Sequence, residues 1–492
     1  MVLAFFGAAG QCVSPIARRV GERAAHVARL HGIEAMRRPC CAWSVDSQAM
    51  GTPAGRTRTR RLALAASFML AALAGEGRAQ ANGRFPASNA VVFSPADEDT
   101  VLVRVTFGLV VTRDRGKSWR WICERAIGFS GPEDPSYVIT KSGALVAGLF
   151  DGLRVSRDGG CTWEAVKTDA TVFVDVTSRS DGAVVALASS YDRHGDAGSL
   201  YKSQLWLSTD DARSFVPLGP RFDPTLLAES VEVAPGDSSR VYVSAVRGAD
   251  DKRTGVLLVS TDGGAHWTER AALLEPKELA PFIAAVDPKR AERIYIRTSA
   301  SPEHPTRLLV TDDAGKTYRK LLGAKGPLLG FALAPDGTTL HVGGPDDGLF
   351  AGGPDGELAQ TSKLRVQCLA RAGDVLWACS SEAGGFIAGT SRDQGAAFEP
   401  RLHLRDIAGP LACGPGTAVA KECDVDWRKL RGDLGLGTGS EARGEAGTDG
   451  GVAAAARTIA DPTARDRGAW IAAIVAVIGG AALIILARRR TR

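Results

Sequence analysis

The chain has 492 residues, 57 of them glycine, and a formal net charge of +5 at pH 7. The positive charge is concentrated at the two ends: residues 1–81 carry +7 and the last five residues carry +4, so the part between them carries about −6. Because nucleic-acid binding needs a concentrated basic face, this distribution argues against a nucleic-acid partner.

The N-terminal part is typical of an export signal preceded by an extension. Residues 1–49 come before Met50, and we interpret them as lying upstream of the true start. Four arginines then precede an apolar stretch at residues 62–74, and small residues at 79–81 form a cleavage site, so residues 50–81 predict a secretory signal and an exported protein. The pair Arg60 and Arg61 leaves a twin-arginine route open.

A short phrase recurs six times after that signal, each time behind an apolar run. It reads Ser or Thr, any residue, Asp, any residue, Gly, any residue, Ser or Thr, and an aromatic residue, with some copies departing at single positions. The Asp, Gly and aromatic residues of the copies are Asp114, Gly116 and Trp119; Asp158, Gly160 and Trp163; Asp210 and Phe215; Asp262, Gly264 and Trp267; Asp313, Gly315 and Tyr318; and Asp393, Gly395 and Phe398.

Each copy predicts a hairpin between two strands. The Asp side chain can accept hydrogen bonds from the amides of its own turn, and the Gly can adopt a positive φ without steric cost. The aromatic residue then buries a large surface between neighbouring sheets. We therefore assign these residues structural roles and no chemistry.

The spacing of the phrase predicts the number of repeats. Successive Asp residues lie 44, 52, 52, 51 and 80 residues apart, and a degenerate copy of the phrase around Asp355 fits inside the last gap. Seven units result, each with four short strands, A to D, and the phrase at the turn between C and D. Four antiparallel strands repeated every 40 to 50 residues indicate an all-β fold, a seven-bladed β-propeller over residues 84–405.

The phrase resembles the Asp-box, or BNR, repeat. That repeat occurs in sialidases, in the Vps10 propellers of sortilin-type proteins, in photosystem-assembly factors and in xyloglucanases. The resemblance implies the propeller fold over about two thirds of the chain. It does not imply one activity, because these relatives include both enzymes and binding proteins.

A sialidase-like glycoside hydrolase, acting on cell-surface or extracellular glycans, is the enzyme alternative. That chemistry needs three arginines for a carboxylate, a tyrosine activated by a glutamate, and an acid or base. Arg84-Phe85-Pro86 resembles the Arg-Ile-Pro signature without its Ile, and Tyr137 lies in a predicted strand A where a nucleophile could line the channel. No glutamate partner for Tyr137 is evident, and seven units differ from the six blades of sialidases.

The strand order places the connections on two faces. The A–B and C–D turns share one face, here called the turn face, and the B–C and D–A connections share the other, the loop face. Long insertions occur in the B–C connections of three consecutive units, at residues 189–203, 245–255 and 299–306. Because loops on rigid scaffolds often carry function, these form the candidate binding surface, with tolerated insertions as the alternative. The candidate residues are Tyr191, Asp192, Arg193, His194, Tyr201, Arg247, Asp250, Asp251 and Arg253.

Six cysteines remain after the predicted signal, an even number that favours disulfides in an exported chain. Of fifteen possible connectivities we favour Cys368 with Cys379 between neighbouring strands and Cys413 with Cys423 across a short loop, which leaves Cys123 with Cys161 by elimination. A zinc site is disfavoured because the sequence has no CxxC pair. No metal and no cofactor is predicted.

The C-terminal part predicts a membrane anchor. Residues 406–430 close the propeller, and residues 431–468, rich in Gly, Ala, Thr and charge, predict a flexible tether. Residues 469–487 carry no charge and nearly span a ~30 Å hydrocarbon core as a helix. The basic residues at 488–492 should remain cytoplasmic, so the propeller would face the periplasm or the cell exterior.

Together these features predict a non-catalytic, membrane-anchored, extracytoplasmic β-propeller of a bacterium. The expected role is a scaffold for binding or assembly, with a protein or a glycan as the unidentified ligand. The expected partners are thus the membrane, through a single C-terminal span, and that ligand.

Overall fold

The computed structural model describes residues 87–436, except residues 132, 194–198, 249–251, 273 and 302–303. The predicted extension and signal at residues 1–81, the predicted membrane span at 469–487 and the basic tail at 488–492 lie outside the described residues. None of the helices within the described ranges has the length and apolarity that a membrane crossing requires.

Seven sheets of four consecutive antiparallel strands confirm the predicted all-β, seven-bladed propeller. The innermost strands, A, are β1 (Ser88–Phe93), β5 (Ser136–Ile139), β9 (Phe173–Ser178), β13 (Leu226–Val233), β17 (Glu278–Val286), β21 (Gly330–Leu333) and β25 (Cys368–Ala372). The next strands, B, are β2 (Val101–Val105), β6 (Leu145–Leu149), β10 (Val184–Arg193), β14 (Val241–Arg247), β18 (Ile294–Ala300), β22 (Leu340–Gly344) and β26 (Val375–Cys379).

The two outer strands of each blade follow in chain order. Strands C are β3 (Gly108–Thr112), β7 (Gly152–Ser156), β11 (Ser199–Ser208), β15 (Thr254–Ser260), β19 (Thr306–Thr311), β23 (Gly348–Gly352) and β27 (Ala388–Ser391). Strands D are β4 (Trp119–Ile122), β8 (Glu164–Ala165), β12 (Val216–Leu218), β16 (Thr268–Ala272), β20 (Arg319–Ala324), β24 (Ala359–Ser362) and β28 (Glu399–Leu402).

Burial falls from the middle of each blade to its rim. Strands β6 and β22 are buried along their whole length, whereas both residues of β8 are exposed. A middle strand is covered on both faces by neighbouring blades, so its side chains form a continuous apolar run instead of alternating. This is why the B and C strands read as apolar runs in the sequence.

The seven A strands form a closed ring, since each contacts the A strand of the next blade and β25 of blade 7 returns to β1. Blade 7 also holds blade 1 through side chains. The indole nitrogen of Trp119 donates to the carbonyl of Arg401 at 2.8 Å, and the rings of Phe93 and Trp377 meet edge to face at 5.9 Å. The predicted order of blades therefore closes without an exchanged strand.

The segment after blade 7 returns to blade 1. Strand β29 (Ile407–Pro410) pairs in parallel with β4 as a fifth strand. Two short 3₁₀ turns lie at Glu382–Gly384 and Leu404–Asp406, and helix α1 (Glu124–Ile127) follows β4. Helix α2 (Ala418–Asp433) packs beside α1 and β29, and it continues beyond the start of the predicted tether at residue 431.

Three disulfides are present in the described residues, and one matches the predicted pairing. Cys368 and Cys379 are joined as expected, because they are register partners on β25 and β26. The expected pairs Cys413–Cys423 and Cys123–Cys161 are wrong: Cys123 joins Cys423, and Cys161 joins Cys413. The return of the C-terminal segment onto blades 1 and 2 brings each late cysteine to an early one.

The repeated phrase forms the C–D turn of six blades, with one shared hydrogen-bond pattern. In blade 1 the Asp114 carboxylate accepts the amides of Lys117 and Ser118 at 2.9 Å and the Ser118 hydroxyl at 2.6 Å. The Thr112 hydroxyl donates to Asp114 and accepts the amide of Gly116, whose φ is +85°. Each Asp carboxylate is thus used inside its own turn.

The degenerate copy in blade 6 differs in the partner of its aspartate. The C–D turn is present between β23 and β24, but the Asp355 carboxylate pairs with Arg293 of blade 5 at 2.9 Å. There, the aspartate bridges two blades.

The carboxylates of these turns predict loss of stability in acid. The hydroxyl of Ser118 lowers the pKa of Asp114 to about 2, and that of Ser214 lowers the pKa of Asp210 to about 2. A folded-state pKa below the unfolded value stabilises the fold above pH 4, and this contribution is lost as the pH falls towards 2. Asp114→Asn should lower the free energy of unfolding by about 1 kcal/mol at pH 7 and by nearly nothing at pH 2, measured by urea unfolding. Asp374→Asn, outside the repeat turns, is the control; an equal loss at both pH values would contradict this role of the carboxylate.

The two long-range disulfides are expected to make a large contribution to the free energy of unfolding. They join residues 300 and 252 positions apart, whereas Cys368 and Cys379 are 11 apart. The Cys161–Cys413 disulfide lies inside the loop of Cys123–Cys423 and remains in the variant, so the outer disulfide closes about 48 further residues, 123–161 and 413–423. Because the entropy of an unfolded chain falls more when a longer loop is closed, replacing Cys123 and Cys423 by serine should cost roughly 4 kcal/mol. Replacing Cys368 and Cys379 should cost roughly 2 to 3 kcal/mol. Urea unfolding under oxidising conditions measures the loss in each double variant. A larger loss on replacing Cys368 and Cys379 than on replacing Cys123 and Cys423 would contradict this role of the long-range disulfides.

Candidate functional site

The longest predicted insertion is a protruding hairpin on the loop face of blade 3. Strands β10 and β11 pair along ten positions, with Tyr191 opposite Tyr201, so most of the expected loop is regular sheet. The Tyr191 side chain is 63% exposed although it is aromatic. The hairpin therefore presents the Tyr191 ring to solvent.

One connecting segment links this hairpin to blade 4. The amide of Tyr201 donates to the carbonyl of Pro224 at 2.8 Å, and the guanidinium of Arg247 donates to the hydroxyl of Thr225 at 2.9 Å. Arg247 also forms a two-point ion pair with Glu269, one contact of which is 3.0 Å. The structure thus brings two of the predicted binding residues to the same loop.

The other predicted binding residues are only partly placed. Asp192 and Arg193 lie near the end of β10, where their backbones pair with Leu200 and Ser199. Arg253 precedes β15 and is half-buried; its Cα lies 3.7 Å from the point where a Cβ on Gly248 would stand. The remaining three, His194, Asp250 and Asp251, lie outside the described residues.

Phe150, which is not among the binding residues predicted from the sequence, is a second exposed aromatic residue on the loop face. It occupies the two-residue B–C turn of blade 2, next to the blade of Tyr191, and it is 55% exposed. Its amide donates to the Glu133 carboxylate, which fixes the turn against the connection from blade 1. A lone phenylalanine at the tip of a tight turn between apolar strands was the available signal.

A polar network joins blades 1 and 2 near their inner strands. The guanidinium of Arg104 donates to the Asn89 side chain and to the Pro135 carbonyl, both at 2.7 Å. The Asn89 amide in turn donates to the Asp134 carboxylate at 3.1 Å. These contacts tie the first two strands of blade 1 to the start of blade 2.

Two carboxylates continue the network into blades 3 and 4. Asp175 accepts the Ser136 hydroxyl at 2.9 Å and the Val231 amide at 3.0 Å, and Glu232 accepts the Thr177 hydroxyl at 3.2 Å. Burial raises the pKa of Asp175 to about 6. Burial, together with the negative charge of Asp175, raises the pKa of Glu232 to about 8.

A third carboxylate lies in the same strand as Glu232. The pairing of β13 with β14 shifts between Ala228 and Ser230, which leaves Glu229 at the bulge. Burial raises the pKa of Glu229 to about 7. None of these three carboxylates is among the residues predicted from the sequence, although a charged residue inside an otherwise apolar A strand was the available signal.

Tyr137, the residue weighed as a sialidase-like nucleophile, is placed unfavourably for that role. Its side chain is buried, its ring meets Trp163 edge to face at 6.4 Å, and its hydroxyl has no hydrogen-bond partner among the described residues. Burial raises the pKa of Tyr137, so the phenolate is disfavoured. Arg84, the candidate for the first carboxylate-binding arginine, lies outside the described residues.

The described residues contain no group of three or more His, Cys, Asp or Glu side chains placed to hold a metal ion. Asp175, Glu229 and Glu232 therefore do not form such a group. The carboxylates of Asp175 and Glu232 accept hydrogen bonds from backbone and hydroxyl donors instead.

Comparison with known proteins finds similarity of fold. No family model matches the sequence, and no curated protein matches it. An ancestral GH74 enzyme matches with a TM-score of 0.44 and 15% identity over 62% of this chain and 46% of its own, so the chain spans less than half of that enzyme. Hydrazine synthase of Kuenenia stuttgartiensis matches with a TM-score of 0.48 and 11% identity over 65% and 99%. The Cps50 (Swd1) β-propeller domain of Myceliophteria thermophila matches with 0.40 and 10% over 61% and 95%. At these identities the likeness concerns the fold alone.

The half-buried Glu232 carboxyl predicts lower stability at high pH. Its folded-state pKa of about 8 lies above the ordinary value of 4.5, so its contribution is fully present below pH 4.5 and is lost as the pH rises towards 8. Glu232→Gln keeps an acceptor for Thr177 and should raise the free energy of unfolding at pH 8.5 by roughly 1 to 2 kcal/mol, with little change at pH 4.5. Urea unfolding at both pH values measures this, with the exposed Glu164→Gln as control. A variant that loses stability at pH 8.5 would contradict the assignment.

Proposed function

We propose that this chain is a non-catalytic binding or assembly module held outside the cytoplasm, and that the loop face of blades 2 to 4 binds its protein or glycan ligand. One observation carries the proposal: Phe150 and Tyr191, in neighbouring blades, present large aromatic surfaces to solvent on the same face. Aromatic side chains supply much of the binding energy of protein interfaces and stack against sugar rings.

The surroundings of these two residues support a preformed surface. The Phe150 turn is held by Glu133, and the Tyr191 hairpin is held by the segment that also binds Arg247. A surface that is rigid before binding loses less conformational entropy when the ligand arrives. Arg247 is held in turn by its ion pair with Glu269.

Export and anchoring complete the proposal. The signal at residues 50–81 would direct the propeller out of the cytoplasm, and the span at 469–487 would tether it to the membrane. The three disulfides are consistent with an extracellular environment.

A glycoside hydrolase is the second candidate, and the neighbouring carboxylates of Asp175 and Glu232 are the observation in its favour. Glycoside hydrolysis commonly uses one carboxyl group with a raised pKa beside a second carboxylate, and Glu232 and Asp175 resemble that arrangement. Both oxygens of Asp175, however, accept hydrogen bonds that join blades 2, 3 and 4, which supports a structural role for that residue.

The binding proposal is tested with full-length protein on a glycan array and in crosslinking to envelope proteins of the producing cell. Tyr191→Ala and Phe150→Ala should each weaken binding of the ligand detected for the wild-type protein by about fivefold or more, because truncating a central aromatic side chain of an interface costs about 1 kcal/mol or more. Val216→Ala, whose side chain is 57% exposed on outer strand β12, is the matched control and should bind normally.

The hydrolase alternative has a separate readout. Turnover of a fluorogenic sialoside or another aryl glycoside by the wild-type protein, abolished in Glu232→Gln, would replace the binding proposal with the enzyme. Binding that survives both aromatic substitutions would show that the loop face is not the working surface.

A further inference from the structure

The interface between blades 6 and 7, here called the 6–7 seam, is held differently from the other interfaces of the ring. Each of the other six is crossed by at least one side-chain hydrogen bond, such as that from the Tyr242 hydroxyl to the Ala291 carbonyl at 2.6 Å. Among the described residues of blades 6 and 7, no side-chain hydrogen bond and no ion pair joins the two blades. The connection between them adds one backbone hydrogen bond, from the Val366 amide to the Gly344 carbonyl at 3.2 Å.

Apolar packing therefore holds the 6–7 seam. Leu349 of blade 6 is fully buried and belongs to one cluster with Leu369 and Leu376 of blade 7. A Cβ added to Gly395, in the repeat turn of blade 7, would lie 2.4 Å from the Leu349 side chain, so the two blades are in close contact. Because a charge placed in such an apolar interface is strongly unfavourable, this seam depends on remaining uncharged.

One titratable side chain, His341 of strand β22, lies inside this seam. It is fully buried, and its register partner on β21 is Ala332. Cross-strand partners share a face of the sheet, and Ala332 belongs to the same cluster as Leu369, so His341 faces blade 7. Neither ring nitrogen of His341 has a hydrogen-bond partner within the described part of the chain.

The equivalent positions of blades 4 and 5 show what is particular to blade 6. Tyr242 and Tyr295 are the second residues of strands β14 and β18, as His341 is the second residue of β22. A tyrosine remains neutral at physiological pH, whereas the ordinary pKa of histidine lies near 6.5. Blade 6 thus places a titratable group where blades 4 and 5 place a neutral one.

Arg371 of strand β25 is the charged group that acts on His341 across the seam. Burial, together with the positive charge of Arg371, lowers the pKa of His341 to about 4, and the smaller effect of Gln394 opposes this. The Nη1 of Arg371 is itself buried without a hydrogen-bond partner among the described residues. Protonation of His341 would therefore put a second positive charge beside an existing one.

The other charged groups of the elements packed around His341 lie at the surface. They are exposed and comprise Asp336 in the A–B turn of blade 6, Asp374 in that of blade 7, and Arg392 and Asp393 in the repeat turn of blade 7. Burial, Arg371 and Gln394 account for the pKa of His341, so no carboxylate offsets the charge that protonation would add.

We propose that the 6–7 seam is an acid-sensitive opening in the ring, where protonation of His341 separates blade 7 from blade 6 while the other six interfaces remain closed. A protonated imidazole donates through both nitrogens, and the closed seam offers it no acceptor. In the open seam His341 meets water and regains its ordinary pKa of about 6.5. This inference does not depend on the loop-face proposal, because it concerns different residues and a different property.

The pH window follows from the two pKa values of His341. Its pKa in the closed seam, about 4, lies below the ordinary value, so neutral His341 contributes fully to closure above pH 6.5. That contribution is lost as the pH falls from 6.5 towards 4. The window differs from that of the repeat-turn carboxylates, whose contribution is lost between about pH 4 and pH 2.

Contacts on the other side of blade 7 keep the opening local. The Arg401 carbonyl still accepts the Trp119 indole of blade 1, and the Ile387 carbonyl still accepts the Ser88 hydroxyl. The chain that follows blade 7 is fastened to blades 1 and 2 by two disulfides. Blade 7 therefore moves away from blade 6 as a unit attached to blade 1.

The test is hydrogen–deuterium exchange of purified full-length protein at pH 7.5 and pH 4.5, read by mass spectrometry and corrected for the intrinsic pH dependence of exchange. At pH 4.5 the opening equilibrium of β22 and β25 should rise by roughly twentyfold or more, because an open-seam imidazole is then almost fully protonated and the buried one is mostly neutral. Strand β6 of blade 2, away from the seam, should keep its protection.

Variants assign the response to His341. His341→Leu, similar in volume and unable to take a proton, should show the same protection of β22 at both pH values. Arg371→Met should reduce the acid-induced change, because removing the neighbouring charge raises the pKa of His341 in the closed seam. His266→Gln is the matched control: its side chain is 89% exposed, so the response of the seam should be as in the wild type.

The proposal is overturned if the wild-type seam is equally protected at both pH values, if β6 and β22 lose protection together, or if His341→Leu retains the full acid response. Thermal melting at pH 7.5 reports the folding of each variant. Should His341→Leu fail to fold, His341→Tyr replaces it, since blades 4 and 5 carry tyrosine at this position. Should both fail, the wild-type profile and Arg371→Met decide the question.

Discussion

Closure of the ring is the constraint on which the rest of the structure depends. Blades can pack face to face around an axis only if the last blade meets the first, and here residues about 300 positions apart make that contact. The Trp119 indole donates to a carbonyl of blade 7, and the Ser88 hydroxyl donates to the Ile387 carbonyl at 2.5 Å. Strand β29 and two disulfides then fasten the chain end to blades 1 and 2. Once the ring is closed, every loop has a fixed position.

A propeller channel also exposes the free edges of seven A strands, and unpaired backbone groups there need acceptors. Asp175 of blade 3 accepts the Val231 amide of blade 4, and the Ser230 hydroxyl of blade 4 accepts the Ile283 amide of blade 5 at 3.0 Å. Side chains of one blade thus satisfy the edge of the next. Carboxylates placed for this purpose become partly desolvated, which is why their pKa values rise.

The two faces of the disc differ in which side chains remain available to a ligand. On the turn face, carboxylates such as Asp114 accept hydrogen bonds within their own turns, and Asp355 forms an ion pair with a neighbouring blade. On the loop face, Phe150 and Tyr191 remain exposed.

The sequence by itself determined the number of blades, their order and the position of each C–D turn. Those features depend on residues only a few positions apart, such as Asp114 and Ser118, so a contiguous stretch encodes them. The pairing of Cys123 with Cys423, the approach of Glu232 to Asp175, and the ion pair of Arg293 with Asp355 were decided only by the tertiary structure. Each joins residues of different blades or of the closing segment, and their proximity follows from ring closure and blade packing, which leave no local pattern in the chain.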